Sequence, residues 1–482
     1  MSLWMSTETG DRNNRRRRER RIRSVVAMVA AITVGVVTAV LVAGWTVATG
    51  ARTGLLDLQD GSLQVTNLPP LLRTADDRLD ELRYDVTCAT PETLPDLACD
   101  IAGTVFVRSG TTGSFQAIPL AVDPKSEVDR YVASLPADVA SRPAFSYYAV
   151  VHDNRTGETV TLPAGGAAAP QTSLLLTRPV TVSLGKHGFG TVDHAAARVA
   201  SALWGDGPGR AGLEDGPQLE PIGASSFDVD ATGTVRVLDE AHHQMLRFGA
   251  GHPNAPTALP LEVRGTIADL RANLDGGVDV LESVGAPGDT PVLHRFDASG
   301  RTTGSWHTAE KTATALRVGP GGPLVLEYPS GEWMPVGATQ TADSRTASAS
   351  QLENASPGQR LADGRQIVAQ REGSEARIAL VDARGVTASW RIRSATPLAE
   401  IQLAEPFGSG VVVVLRTYSD TQDEFIALVL GTHGIERRLS IAPDDWAEAA
   451  PLARFRVVSS SLYHLGSTPT GMFVDRYDLE VR

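Results

Sequence analysis

Four small groups of residues have types and spacings that could do chemistry. Asp228, Asp230 and Asp239, with Gly233 among them, imitate the Asp-x-Asp-x-x-Gly opening of a calcium loop and even place a carboxylate at its twelfth position. A calcium loop of that kind lies between helices, whereas residues 227–229 and 235–238 alternate like strands, so the segment reads as a hairpin whose Asp and Gly make the turn. His242 and His243 could serve a metal, but adjacent side chains on a strand point to opposite faces, which favours a turn over a ligand pair. Ser183-Leu184-Gly185-Lys186 spells Ser-x-x-Lys without the companion motifs of the penicillin-binding class. There is no Gly-x-Ser-x-Gly, His-Glu-x-x-His, Walker loop or dinucleotide fingerprint. No catalytic residue, cofactor-binding residue or metal ligand is assigned on these grounds, and no cofactor is expected.

The fourth group is Cys88 and Cys99, the only 2 cysteines. A close pair in an oxidising compartment reads as one disulfide, and two thiols with His152 as the sole nearby histidine are too few for a structural zinc site. The compartment follows from the amino end. Ser24 to Ala51 carries no formal charge and is preceded by Arg12, Arg15, Arg16, Arg17, Arg18, Arg20, Arg21 and Arg23. About 20 apolar residues cross a bilayer, and an arginine cluster holds its flank in the cytoplasm. The run exceeds the apolar region of a cleaved signal, and Ala48-Thr49-Gly50 is a weak cleavage site. The expected address is therefore the cell membrane, single-pass, with residues 1–23 as a cytoplasmic tail, 24–51 as the transmembrane helix in the lipid bilayer, and the remainder outside.

Charge divides across that span. Residues 1–23 carry eight Arg against Glu8, Asp11 and Glu19, a balance of +5, so the chain's −12 leaves −17 for the rest. An acidic outer part argues against nucleic acid, which needs a basic surface. Lys occurs only at 125, 186 and 311, and with abundant Ala, Gly and Val this composition resembles that of a GC-rich, actinobacterial-like genome.

These groups must be positioned by the elements downstream. Residues 52–83 read as a stalk, with Leu71, Leu72, Ala75, Leu79 and Leu82 at near-helical spacing after Pro69-Pro70. Residues 84–182 change to short alternating runs. Thr104–Arg108 and Phe115–Leu120 flank Ser-Gly-Thr-Thr-Gly as a hairpin, and Tyr131–Leu135, Tyr147–Val151 and Thr159–Leu162 continue the period of two. About seven short strands in that length predict a β-sandwich. The segment resembles immunoglobulin-like or fibronectin type III-like modules of bacterial surface proteins, although Cys88 and Cys99 are too close for the inter-sheet disulfide of an antibody domain.

Residues 183–482 repeat. Strand groups begin at 227, 270, 316, 360, 401 and 455, a spacing that suits propeller blades of three or four strands. The last copy stops after its third strand, so a strand from before Phe227 should complete the ring. The first copy, Phe227 to Phe248 with Gly205-Asp206-Gly207-Pro208-Gly209 upstream and Glu240-Ala241-His242-His243-Gln244 near its end, resembles an NHL-type repeat, which implies a six-bladed β-propeller. Such propellers include lyases and calcium- or zinc-dependent hydrolases with a metal on the axis. The repeat names no axial residue here, so no ligand carries over. Trp306, Trp333, Trp390 and Trp446 fall about once per late copy and are expected to wedge between blades. The polar stretch 335–359 is a long insertion.

The expectation is an all-β ectodomain, a β-sandwich followed by a six-bladed propeller on one N-terminal transmembrane helix. It would act as a membrane-anchored binding or interaction scaffold for envelope proteins or cell-wall polymer. A metal-dependent propeller hydrolase or lyase, or a glycan-binding propeller, is the alternative.

Overall fold

The computed structural model describes residues 63–480 except 68–70, 78, 89–99, 125–129, 164, 169, 217–218, 264–266, 274, 283–290, 308–312, 320–321, 328–332, 336–358, 362 and 448–452. The Arg-rich tail, the apolar span 24–51, Cys99 and most of the insertion at 335–359 therefore lie outside the described residues. Among those described, nearly all regular structure is β, and no helix is long and apolar enough to cross a membrane.

Two sheets come first. Their strands are β1 (Leu63–Asn67), β2 (Leu72–Thr74), β3 (Glu81–Cys88), β4 (Ile101–Ser109), β5 (Gln116–Pro119), β6 (Ala121–Val122), β7 (Arg130–Ser134), β8 (Ala144–Asp153), β9 (Thr159–Leu162) and β10 (Gln171–Leu176), with one helical turn, α1 (Ala137–Ala140), before β8. The orders are β1-β3-β7-β6 and β2-β10-β8-β4-β5, with β9 beside β8. The sheets share one core, in which Leu82, Tyr84 and Val86 meet Val105, Phe145 and Val151. Alternation makes this possible, since β3 buries every second residue, Leu82, Tyr84, Val86 and Cys88.

The stalk helix expected within 52–83 does not form. β1 and β2 occupy that stretch, β1 pairing antiparallel with β3 and β2 running parallel to β10. The leucines fit a helical spacing by coincidence: Leu82 belongs to the period-two set of β3, while Leu71 and Leu72 pack against Leu176, Val368 and Ala379. Short apolar runs do not distinguish the two periods, and tertiary pairing decides.

After β11 (Val180–Gly185), β12 (Ala197–Leu203) and the short pair β13 (Glu214–Gly216) and β14 (Leu219–Ile222), six sheets follow in chain order among the described residues. The first holds β15 (Ser226–Val229), β16 (Val235–Asp239), β17 (Gln244–Phe248) and β18 (Thr257–Pro260). The second holds β19 (Ile267–Ala272), β20 (Val278–Glu282), β21 (Val292–Phe296) and β22 (Thr302–His307), and the third β23 (Ala313–Gly319), β24 (Gly322–Glu327) and β25 (Trp333–Pro335). The fourth holds β26 (Gln359–Arg360), β27 (Gln366–Glu372), β28 (Glu375–Asp382) and β29 (Gly385–Ser394), and the fifth β30 (Leu398–Phe407), β31 (Gly410–Tyr418), β32 (Asp423–Gly431) and β33 (Gly434–Ile441). β34 (Phe455–Val458), β35 (Ser461–Thr468) and β36 (Gly471–Asp478) begin the sixth. Successive sheets touch through their first strands, or in the fourth sheet its first two: β15 with β19, β19 with β23, β23 with β26, β27 with β30, β30 with β34, and β34 with β15 again. The arrangement is a closed, propeller-like circuit.

The circuit is clasped by the chain that enters it. β12 pairs antiparallel with β36 as the fourth strand of the sixth sheet, and β11 adds in parallel to β29 at the edge of the fourth. An expected domain boundary at 182 thus falls inside β11. The connector between the two strands crosses the fifth sheet, where His187 Nε2 lies 2.8 Å from Glu424 Oε2, the Gly190 amide donates to Glu424 Oε1, and the Asp193 amide donates to the Ser440 carbonyl.

The sandwich docks on the fourth sheet. The Leu72 amide donates to Gln370 Oε1 and Arg377 donates to the Leu72 carbonyl, while Arg377 pairs with Asp77 at 2.7 Å and Arg391 with Asp76 at 2.8 Å.

Gly471 sets how closely β12 approaches, because a Cβ there would lie 2.2 Å from the Ala202 carbonyl oxygen. Gly471→Val is expected to lower the urea midpoint, with a cost of about 1–3 kcal/mol from forced backbone shifts, and to expose the segment after Leu203 to limited proteolysis. An unchanged midpoint and cleavage pattern would contradict the clasp.

Candidate functional site

The carboxylates that imitate a calcium loop go to three different places. β15 and β16 form the expected hairpin, and Asp230 Oδ1 closes its turn by accepting from the Thr232 amide at 2.9 Å, the Thr232 hydroxyl at 2.6 Å and the Thr234 amide at 3.0 Å. Arg236 Nη1 donates to the other oxygen at 2.7 Å, and Gly233 takes the positive φ of 82° that the turn requires. Asp239 is buried and accepts from the Gly212 amide, Gln244 Nε2 and the His242 ring. Asp228 accepts from the Ala272 amide at 2.8 Å and lies 3.5 Å from Arg271.

His242 and His243 occupy a turn, as expected, with His243 at φ 47°. His242 Nδ1 lies 3.0 Å from Asp239 and Nε2 lies 3.3 Å from Asp206. Next to them Glu240 is pushed up to about 7 by burial, with Glu214 adding repulsion. Ser183 and Lys186 are both exposed, one on an edge strand and the other just beyond it. Among the described residues no cysteine is free, and the buried Cys88 Sγ accepts from Arg155 Nη2 at 3.1 Å. Trp390 does wedge between sheets, its Nε1 donating to the Gly431 carbonyl, whereas Trp446 leans on Trp204 and Trp306 lies beneath the Arg295 guanidinium.

The densest polar constellation lies where the leading strands meet. Arg456 of β34 donates to the Phe227 carbonyl at 3.0 Å and to Asp269 Oδ1 at 2.7 Å. Asp269 of β19 also accepts from the Ser226 hydroxyl, the Leu316 amide and Arg317 Nη1. Arg317 of β23 reaches Glu405 of β30 at 3.6 Å, and Arg271 reaches Asp228 at 3.5 Å. Burial alone would raise the Asp269 carboxyl, but Arg456 and Arg317 outweigh it and hold it below the ordinary range. Burial pulls the Arg456 guanidinium down to about 10 even with Asp269 beside it. Three guanidiniums thus meet three carboxylates, Asp228, Asp269 and Glu405. This donor set is already engaged with cations, and among the described residues no group of His, Cys, Asp and Glu is arranged to hold a metal ion.

Sequence reasoning passed over Asp269, Arg271, Arg317, Glu405 and Arg456. The signal was there: Asp269-Leu270-Arg271, Leu316-Arg317-Val318 and Phe455-Arg456-Val457 each set a charge inside the leading apolar strand of a repeat. A cleft beside the sixth sheet is lined by Trp204, Asp444, Arg454, Ser467 and Met472, with Asp444 at φ 41° and its carboxyl raised by burial and then by Asp475.

No family model and no curated protein sequence matches this chain. Among solved structures, virginiamycin B lyase from Staphylococcus aureus is similar at 9% identity, covering 55% of this chain and 98% of that one, with a TM-score of 0.31. A Bacteroides thetaiotaomicron protein of unknown function aligns at 9% identity over 86% of this chain and 98% of its own, TM-score 0.34. YCF48, solved bound to a D1 peptide, aligns at 16% identity over 62% and 99%, TM-score 0.32. At such scores these structures carry no activity over to this chain, and the propeller-like circuit rests on its own strand contacts.

Glu240 supplies a pH test. Its folded pKa lies above the unfolded value near 4.5, so the stability it contributes is full below that value and is lost as pH rises toward 7. Glu240→Gln is expected to leave stability at pH 4 nearly unchanged and to raise it by about 1–3 kcal/mol at pH 8, read from urea unfolding at both values. Equal effects at the two pH values would contradict the assignment.

Proposed function

We propose that this chain is a membrane-anchored, extracytoplasmic binding scaffold of a bacterial cell envelope. In this reading residues 24–51 cross the bilayer with the Arg-rich tail 1–23 inside, an immunoglobulin-like or fibronectin type III-like sandwich follows, and an NHL-like six-bladed propeller presents the binding surface to envelope proteins or wall polymer. The six sheets whose leading strands close on one another support the blade count. The observation that carries the functional reading is the axial network, because its carboxylates bind arginine instead of forming an open metal-ligand set. A metal-dependent hydrolase or lyase needs an open set of ligands around its ion. A scaffold needs sheets fixed against each other, which the clasp and the docked sandwich provide. Cys88, buried at the end of β3, is proposed to pair with Cys99 across the ten residues between them, and the absence of a free cysteine among the described residues supports this.

Protease added to intact spheroplasts should remove the sandwich and circuit while leaving the Arg-rich tail protected. A protected circuit would reverse the orientation. In the same material, non-reducing mass spectrometry should recover one linked peptide pair containing Cys88 and Cys99, and two freely alkylated thiols would refute the link. Elemental analysis of the purified full-length chain should find no stoichiometric zinc or calcium, whereas a metal lost together with hydrolytic activity on chelation would favour the enzyme.

A further inference from the structure

His464 lies in β35, a middle strand of the sixth sheet, at 0% exposure, and both of its ring nitrogens are buried without a hydrogen-bond partner. Packing alone holds the ring. It stacks on Phe455 at 4.7 Å between centroids and 13° between planes, and meets Phe425 of the fifth sheet edge-on at 5.9 Å. Both phenylalanines belong to the apolar seam between the two sheets, with Val412, Val414, Leu462 and Tyr477. The charged groups bordering the seam are engaged elsewhere. Asp475, opposite His464 on β36, is held by Arg198 at 2.9 and 3.0 Å. In the fifth sheet Arg416, opposite Phe425, donates to Asp423 at 2.5 Å and lies 3.6 Å from Asp445, while Glu424 is held by His187 and the Gly190 amide. Arg454, just before β34, donates to the Pro443 carbonyl and sets its guanidinium 5.5 Å from the centre of the Phe425 ring. Burial, and then the positive charge of Arg454, hold the His464 ring well below the ordinary histidine range.

We propose that His464 is an acid-sensitive latch of the circuit: uncharged, its ring closes the seam between the fifth and sixth sheets, and its protonation favours a state in which that seam has opened. An imidazolium has two N–H donors to satisfy. Among the described residues the closed seam gives neither nitrogen an acceptor, and it sets Arg454 nearby. Opening brings water to the ring, so protons bind the opened state better and shift the population toward it. Because the folded state resists the proton, the stability that His464 carries is full above the unfolded value near 6.5 and is lost as pH falls below it. The place matters. The sixth sheet is where the circuit closes, through β34 on β15 and through β36 on β12, so an opening at β35 loosens the closure itself. This goes beyond the scaffold reading, since it gives the presenting sheets a condition under which they part, and it does not depend on the membrane topology.

The test uses the full-length chain purified in detergent, with urea unfolding followed from pH 7.5 to pH 5.0 and compared with His464→Phe, which keeps a flat ring against Phe455 and takes no proton. Below about pH 6 the folding constant of the unmodified chain should fall about tenfold more per pH unit than that of the variant, the effect of one proton. Comparing the two chains also cancels Glu240, whose effect in this window has the opposite sign. Equal pH slopes would overturn the proposal. Hydrogen exchange of the unmodified chain then locates the opening: from pH 7.5 to pH 5.0, after correction for intrinsic exchange rates, protection of β34 and β35 should fall more than that of β20 and β21. Even loss across all sheets, or none, would overturn the latch, and this second measurement decides the matter if His464→Phe does not fold.

Discussion

Arg456 and Asp269 form the interaction on which the circuit depends. Their bond joins the sixth sheet to the second, Arg456 also holds the carbonyl of Phe227 in the first, and Asp269 holds the Leu316 amide and Arg317 in the third. Arg317 continues to Glu405 in the fifth. Five of the six sheets are therefore linked through charged groups that water barely reaches. Taking such charges out of water costs several kcal/mol per ion, and the pairing offsets this only when geometry is good and the remaining lone pairs are used. Asp269 meets that condition with donors on both oxygens. Arg456 meets it incompletely, its Nη1 being buried without a hydrogen-bond partner.

The outer edge depends on a different physics. Sheets held only at their inner strands would expose long outer edges, and an unpaired edge invites pairing with another chain. The entering segment covers three such edges in succession: β11 on the fourth sheet, the connector at Glu424 and Ser440 on the fifth, and β12 on the sixth. The same segment leads directly from β10, so the sandwich is tied to the circuit both by covalent continuity and by the Arg377–Asp77 and Arg391–Asp76 pairs. Axis, clasp and docked sandwich thus fix the sheets against one another by three separate sets of contacts.

Much of this layout was legible in the sequence because it is written in period-two alternation and turn chemistry. The expected repeat starts 227, 270, 316, 360, 401 and 455 fall within a few residues of strands beginning at 226, 267, 313, 359, 398 and 455. The missing fourth strand of the last repeat correctly implied a partner from upstream, now β12. The Asp230 turn was readable because Asp and Gly have local roles there. Leu71 to Leu82 misled because a few leucines satisfy a helical spacing as easily as two strands and a bend, and only pairing with β10 and β3 decides. The axis was not legible because Asp269, Arg317, Glu405 and Arg456 are far apart in the chain and acquire meaning only when the circuit closes. The parallel addition of β11 was equally invisible, since its partner β29 lies about two hundred residues downstream.

The closed circuit requires Arg456 and Asp269 to act as one unit. A double-mutant cycle with Arg456→Met and Asp269→Asn, read by urea unfolding, measures this directly. Each single change should cost about 3–5 kcal/mol by leaving a buried group unpaired, and the double variant should recover at least about 1 kcal/mol of the summed loss. Strictly additive losses would show that the two side chains are energetically independent and that the axial knot does not hold the circuit together.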